Sequence, residues 1–353
     1  MLNRFLKLIR LFKTPQNQTP SNKANNIMLT QSSPILHTFK GKNPRGFHNL
    51  TYYTWGNPTS KVLIMVHGLS RNGRDFDVLA EALSDQFYVV CPDIVGRGKS
   101  DWLPEDLPQA MIQGLPQGTA APKAFGQGYT YDQYMNDLTA LIARLNVPEV
   151  YWLGTSMGGL LGMIMASLPQ TPIKRLVIND IGPYITAENL EKVRGYIGIM
   201  PTFRQFDSAL NFIKQMYAPF GNLTDEQWQH MAEHSFMVKE DSKNDINKTA
   251  EETVKGDRIY QLHYDPRIAL FKNEQGDSNL ADVNLWPCWL TVSCPTLVLR
   301  GEHSEIFPSD LCQQMITKPN TIFHEIQGAG HAPALMSQHE IGLIRDWFCK
   351  ELR

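Results

Sequence analysis

The stretch Val150-Tyr-Trp-Leu-Gly-Thr-Ser156-Met-Gly-Gly159 decides how the rest of this chain is read. Val150 to Leu153 is a short apolar strand pattern, and Met157 opens an apolar helical run. Between them Gly154-Thr-Ser156-Met-Gly158 matches G-x-S-x-G in the context that pattern requires. A nucleophilic serine must project its hydroxyl from a strained strand-to-helix turn. Glycines flank it because a side chain there would strike the neighbouring strand or helix. Ser156 is therefore the candidate nucleophile; the bland alternative is a glycine-rich turn with a capping serine.

A serine hydroxyl is a weak nucleophile alone, so a histidine base and an orienting carboxylate should follow on later loops, in the order Ser, acid, His. Gly328-Ala-Gly-His331-Ala-Pro333 lies between a strand ending near Ile326 and the closing helix, and His331 is the expected base. For the acid, Glu305 in Gly301-Glu-His-Ser-Glu305 is the first choice. Asp180, in Asn179-Asp-Ile-Gly-Pro183, stays open as the alternative, its bland reading being a turn aspartate that caps backbone. The developing oxyanion needs two N–H donors, expected from the backbones of Met157 and Leu69. His67 reads as a structural residue fixing the Leu69 loop. Arg71 and Trp286 are candidate substrate contacts, with a solvated arginine and a packing indole as the alternatives.

Outward from the serine, short β-rich runs alternate with helical patterns from Ile35 onward, as in a mostly parallel sheet covered on both faces. Strands are expected at Lys61–His67, Phe87–Cys91, Val150–Gly154, Arg175–Asn179, Thr296–Arg300 and Thr321–Ile326. Helices are expected at Arg74–Ser84, Tyr131–Leu145, Met157–Leu168, Ser309–Ile316 and Gln338–Lys350. Leu103 to Tyr129, with four prolines and four glycines, breaks the rhythm as a long excursion. So does Pro183 to Leu290, which has the size of a helical cap inserted before the last two strands. Its aromatic residues Trp228, Tyr260, Tyr264, Trp286 and Trp289 could cover an apolar cleft or simply pack the cap. The expected organisation is an amino-terminal segment over residues 1–30, a core over 31–182 and 291–353, and a cap over 183–290.

Composition sets the outer limits. The 353 residues are 42% hydrophobic and 19% charged, which suits a globular domain and excludes a disordered, collagenous or disulfide-knotted chain. The formal charge of −2 gives no footprint for nucleic acid. The charge is uneven, since residues 1–74 hold 11 Lys and Arg and no acid, leaving 22 basic and 35 acidic residues beyond. Residues 1–13 form a basic amphipathic pattern: either a weak peripheral contact with an anionic membrane surface or a dispensable tail, tethered by a polar stretch. It lacks the uninterrupted apolar run of a secretory signal. Five cysteines without C-x-x-C spacing suggest reduced thiols and a cytoplasmic setting.

With Asp93-Ile-Val-Gly-Arg-Gly-Lys-Ser100 and Arg300-Gly-Glu-His-Ser-Glu305 added to the serine and histidine motifs, the chain from about Ile35 onward resembles the α/β-hydrolase-fold serine hydrolases. The resemblance implies a carboxylic-ester hydrolase, with thioesters as a related class, acting through an acyl-enzyme on a small-molecule ester without metal or cofactor. The acid in such relatives is usually Asp where this chain has Glu305, which keeps Asp180 open. An acyltransferase, a carbon–carbon bond hydrolase and a non-catalytic ligand receptor share the architecture. Ala332 after the histidine, where carbon–carbon hydrolases commonly carry Trp, weighs against the second. Two further patterns read as decoys. Gly98-Lys-Ser100 lacks the glycine a phosphate loop needs at position 93. His230-Met-Ala-Glu-His234 matches H-x-x-E-H with no evident third ligand in sequence and reads as a polar helix face.

Overall fold

The computed structural model describes residues 33–104, 128–197, 199–240, 258–269 and 280–350. The amphipathic segment at residues 1–13 and most of the excursion after Leu103 lie outside the described residues.

An eight-stranded sheet organises the chain. A hairpin of β1 (Ile35–Asn43) and β2 (Gly46–Trp55) forms one edge, and β2 runs antiparallel to β4 (Phe87–Asp93). The remainder is parallel, running from β4 through β3 (Lys61–Val66), β5 (Val150–Thr155), β6 (Ile173–Asn179) and β12 (Thr296–Gly301) to β13 (Thr321–Ile326). Strand alternation divides the core. Val62, Ile64 and Val66 of β3 join Trp152 in a cluster on one face, while Leu63 and Met65 join Leu153 and Val177 on the other. Each such side chain removed from water contributes about 1.5–3 kcal/mol.

Helices cover both faces: α1 (Asp77–Leu83), α2 (Tyr131–Leu145), α3 (Met157–Ser167), α8 (Ser309–Met315) and α9 (Gln338–Cys349). Their limits follow from local chemistry. Thr130 caps α2 by accepting from the Gln133 amide, and Asn146 ends it in the left-handed region at φ 51°. A reciprocal pair of Ser337 and Glu340 starts α9. Between Gly73 and Phe76, where one helix is expected from Arg74, the chain instead makes a 3-10 turn before α1, because the Asn72 side chain accepts from the Arg74 amide.

Between β6 and β12 the chain leaves the sheet. This insertion carries α4 (Ala187–Ile197), α5 (Phe206–Met216), α6 (Asp225–Ser235) and α7 (Trp286–Thr291), but it is not purely helical. Short β7 (Tyr184–Ile185) and β11 (Val283–Asn284) pair at its base. A small antiparallel sheet also forms, ordered β8 (Thr202–Phe203), β10 (Arg258–Leu262), β9 (Phe236–Glu240). Alternation in Arg258-Ile-Tyr-Gln-Leu262 suits a half-buried strand, which explains this departure from the all-helical expectation. The insertion has its own apolar cluster, with Trp228, Tyr264 and Phe236 buried in it and Tyr260 packed against it.

Register brings one end of the sheet to a common level. Val66 lies opposite Gly154, Thr155 opposite Asn179, Leu299 opposite Asn179, and Gly301 opposite Ile326. Loops leaving the carboxyl ends of β3, β5, β6, β12 and β13 therefore converge, which is where open α/β sheets build their sites.

Candidate active site

Ser156 sits between β5 and α3 with φ 50° and ψ −113°, a conformation costly for a residue with a side chain. The turn is held by the Ser156 amide, which donates to the Asn179 carbonyl at 2.9 Å. Tight packing explains the glycines. A Cβ on Gly154 would lie 2.1 Å from the Gly158 carbonyl oxygen, and one on Gly158 would lie 2.0 Å from that of Val66. The helix can thus start directly against β3 and aim its first turn at the serine.

His331 leaves the loop after β13 and reaches Ser156, with Nε2 3.0 Å from Oγ. Its Nδ1 lies 2.7 Å from Oδ2 of Asp180. A fully buried carboxylate accepting at Nδ1 fixes the tautomer, so the serine hydroxyl donates to Nε2. Asp180 is itself held by four donors. Gly301 N–H reaches Oδ1 at 2.8 Å, while Ser304 Oγ at 2.7 Å and Ala332 N–H at 3.0 Å join His331 on Oδ2.

The first choice of acid, Glu305, is corrected by this geometry. Glu305 is exposed and, among the described residues, has no hydrogen-bonded partner, whereas Asp180 is fully buried against the imidazole. The reason is positional. Asp180 follows β6, the strand beside β5, and Ser304 turns inward to Asp180, so its neighbour Glu305 points to solvent. Glu302 accepts from the Gly328 amide at 2.9 Å and shapes the start of the histidine loop.

Two further contacts, not foreseen from sequence, position this loop. The buried Asn179 donates from Nδ2 to Thr155 Oγ1 at 3.0 Å and to the Pro333 carbonyl at 2.9 Å, tying the serine's strand to the residues after His331. From the insertion, the Pro219 carbonyl accepts from Gly330 N–H at 2.7 Å and the Phe220 carbonyl from Ala334 N–H at 3.0 Å. Short-range patterns carry no signal for the ties from Asn179, Pro219 and Phe220 to the histidine loop, since each joins segments more than a hundred residues apart.

Gly68 borders the serine, for its Cβ position lies 3.8 Å from the Ser156 Cβ. The Leu69 amide follows at the end of β3, and the Met157 amide opens α3, where a first-turn N–H has no intrahelical acceptor. His67 is buried, takes the Ile94 N–H on Nε2 at 3.0 Å, and lies 2.7 Å from the Gly68 carbonyl through Nδ1. Burial lowers its pKa to about 3, so the ring is neutral and serves as a brace.

Both candidate substrate contacts also have partners within the protein. Arg71 is buried, grips the Asp75 carboxylate through Nε and Nη2, donates to Ser235 Oγ at 2.8 Å and stacks over Tyr217. It ties the core loop to the insertion. Trp286, at the start of α7, packs with Trp289 against the sheet's apolar cluster.

The fold gives the H-x-x-E-H pattern the third ligand its sequence lacks. Ligand atoms of Asp77, His230 and His234 lie within 4.8 Å of one another. The Arg74 guanidinium already binds that carboxylate, with Nε 2.8 Å from both oxygens, so a cation there would face a fixed positive charge. The Gly98-Lys-Ser100 turn is likewise satisfied internally, with Asp93 accepting from the Lys99 and Gly73 amides. Among the described residues, no helix is long and apolar enough to cross a membrane.

A hydroxyl on a strained turn, an imidazole to take its proton, a buried carboxylate behind it and two adjacent amides can together attack a carbonyl and hold the resulting negative charge. Comparison with known proteins gives the family. The family model described as the alpha/beta hydrolase fold matches residues 61–335. The chain is 34% identical to a 3-hydroxybutyrate-oligomer hydrolase of Cupriavidus necator over 323 residues, 90% of this chain and 98% of that one. It is 26% identical to an sn-1-specific diacylglycerol lipase of Danio rerio over 74% of this chain and 70% of that one. A solved structure of an alpha/beta hydrolase from Novosphingobium aromaticivorans superposes with TM-score 0.68 at 27% identity, covering 88% of this chain and 96% of that one.

Proposed function

Because the chain belongs to the α/β-hydrolase fold family, we propose that it is a serine hydrolase that cleaves carboxylic esters through an acyl-enzyme intermediate, and that its substrates are short linear oligoesters of 3-hydroxy acids. The hydrogen-bonded chain from Ser156 through His331 to Asp180 carries this reading. Ser156 Oγ attacks the ester carbonyl while His331 Nε2 takes its proton, and Asp180 stabilises the imidazolium. The amides of Leu69 and Met157 receive the oxyanion. Protonated His331 then gives its proton to the departing alkoxide, and a water deprotonated by the same nitrogen releases the acid. The insertion covers this site as a cap and shapes its acyl selectivity. The oligoester assignment is supported by the near full-length match to the oligomer hydrolase.

Labelling with a fluorophosphonate and hydrolysis of 3-hydroxybutyrate dimer and trimer, beside p-nitrophenyl esters of increasing chain length, test both levels. Labelling and turnover should vanish in a folded Ser156→Ala variant. Turnover surviving that change would overturn the nucleophile, and p-nitrophenyl activity without oligoester cleavage would overturn the substrate class.

A further inference from the structure

Arg97 is wholly buried at the turn after β4, yet all the partners of its guanidinium are neutral. Nε donates to the Leu69 carbonyl at 2.8 Å, and Nη1 donates to the Val95 carbonyl at 2.7 Å and the Tyr134 hydroxyl at 2.9 Å. Nη2 lies 3.9 Å from the Met157 sulfur. The ring of Tyr134 lies beneath the cation at 4.8 Å, and that of Tyr129 at 5.8 Å. Among the described residues, no carboxylate oxygen lies within 4.0 Å of this guanidinium. A buried cation without a counter-ion costs folding free energy, so its retention needs another explanation.

The explanation lies in what the two ends of the fork touch. A peptide's N–H and C=O point in opposite directions, so fixing one orients the other. The Gly68 carbonyl, on the peptide that carries the Leu69 N–H, accepts from the Arg71 amide at 3.2 Å and lies 2.7 Å from His67 Nδ1. The next peptide is held at the Leu69 carbonyl by Arg97. Both peptides flanking the Leu69 Cα are thereby clamped, and the same guanidinium meets the side chain of Met157. We propose that Arg97 is the positioning residue of the oxyanion hole: it aligns the Leu69 amide against the Met157 amide and supplies positive potential to the tetrahedral oxyanion. The backbone of Arg97 is fixed in turn by the insertion, through a bridge to Tyr264 and through the Gly98 amide, which donates to the His263 carbonyl at 2.9 Å.

This inference rests on the serine-hydrolase reading and is tested beside it with the full chain. The variants are Arg97→Gln, which removes the charge, and Arg97→Lys, which keeps the charge but can reach only one of the separated acceptors. The readouts are kcat and KM for p-nitrophenyl butyrate and the inhibition constant of phenylboronic acid, whose tetrahedral adduct on serine uses the hole. Losing one oxyanion donor outright costs about 10²–10³ in kcat, and a misaligned donor should cost about 30- to 300-fold. Arg97→Gln should show that fall with KM within about threefold of wild type, and boronate affinity should weaken in parallel. Arg97→Lys should fall between it and wild type, and it decides on the same readouts if Arg97→Gln does not fold. A folded variant with undiminished kcat, or a loss confined to KM, overturns the role of Arg97 while leaving the serine-hydrolase reading intact. A wild-type protein that neither reacts with fluorophosphonate nor turns over the ester takes both down.

Discussion

Replacing Asp180 with asparagine keeps the side chain's shape but removes its charge and turns one acceptor into a donor. Every group around the carboxylate is a donor: two backbone N–H groups, from Gly301 and Ala332, which cannot reverse, and Ser304 and His331, which can. An amide NH2 at the Oδ2 position faces the Ala332 N–H and is relieved if the Ser304 hydroxyl rotates and the histidine moves its proton from Nδ1 to Nε2. The second adjustment is ruinous, because an Nε2–H can no longer receive the Ser156 proton. The reverse orientation sets the NH2 against the Gly301 N–H. In either case a buried donor loses its acceptor, at about 1–3 kcal/mol of stability. The first orientation imposes the wrong tautomer and the second leaves the imidazolium without its counter-charge, so kcat should fall by up to about 10⁴, or about 5.4 kcal/mol of transition-state stabilisation. Glu305→Ala, changing an exposed side chain with no hydrogen-bonded partner among the described residues, should stay within about threefold of wild type. The assay is kcat on p-nitrophenyl butyrate, with folded enzyme quantified by circular dichroism and denaturant midpoint. Asp180→Asn retaining a tenth of the activity, or Glu305→Ala losing most of it, would refute the argument.

Gly158→Ala should destabilise the fold by about 3 kcal/mol or more, because its new methyl group meets the backbone of a central strand; urea unfolding measures this, and an unchanged midpoint would contradict the packing. Asn179→Ala should lower kcat about tenfold with little change in KM, since the histidine loop loses its tie to β5 and a misplaced base costs rate more than binding. Stability should fall on acidification. Burial lowers His67 to about 3 and both His234 and His263 to about 4, so the unfolded chain, near 6.5, takes up protons first between about pH 6.5 and 4. Burial raises Asp93 to about 6, which opposes this over roughly pH 6 to 4, but one carboxyl is outweighed by three imidazoles. Melting temperature should therefore drop from pH 7 to 5, and a rise would contradict the burial of these rings.

Much of this was legible in sequence, for a physical reason. Buried parallel strands such as Lys61–Val66 are short apolar runs that stop at loops, and the serine's turn needs glycines whose absence would cause collisions. Local constraints of that kind leave a local trace. The acid was less legible because Asp180 and Glu305 each follow a strand, and spacing alone does not say which strand neighbours the serine. Strand order settles that, with β6 beside β5 and β12 one place further out. Arg71 misled for a related reason: a cation near a site reads the same whether it awaits a ligand or, as here, is consumed by Asp75 and Ser235. The ties from Pro219 and Phe220 to the histidine loop leave no mark in any window of sequence.

Those two carbonyls have a practical corollary. They straddle His331, one bonded to the residue before it and the other to the third residue after it, and both belong to the insertion. Exchanging the insertion for a relative's, in the hope of transplanting selectivity alone, would remove the brackets on either side of His331. A chimera should keep Pro219 and Phe220 in place, together with His263 and Tyr264, which meet the Arg97 turn, and vary the remainder.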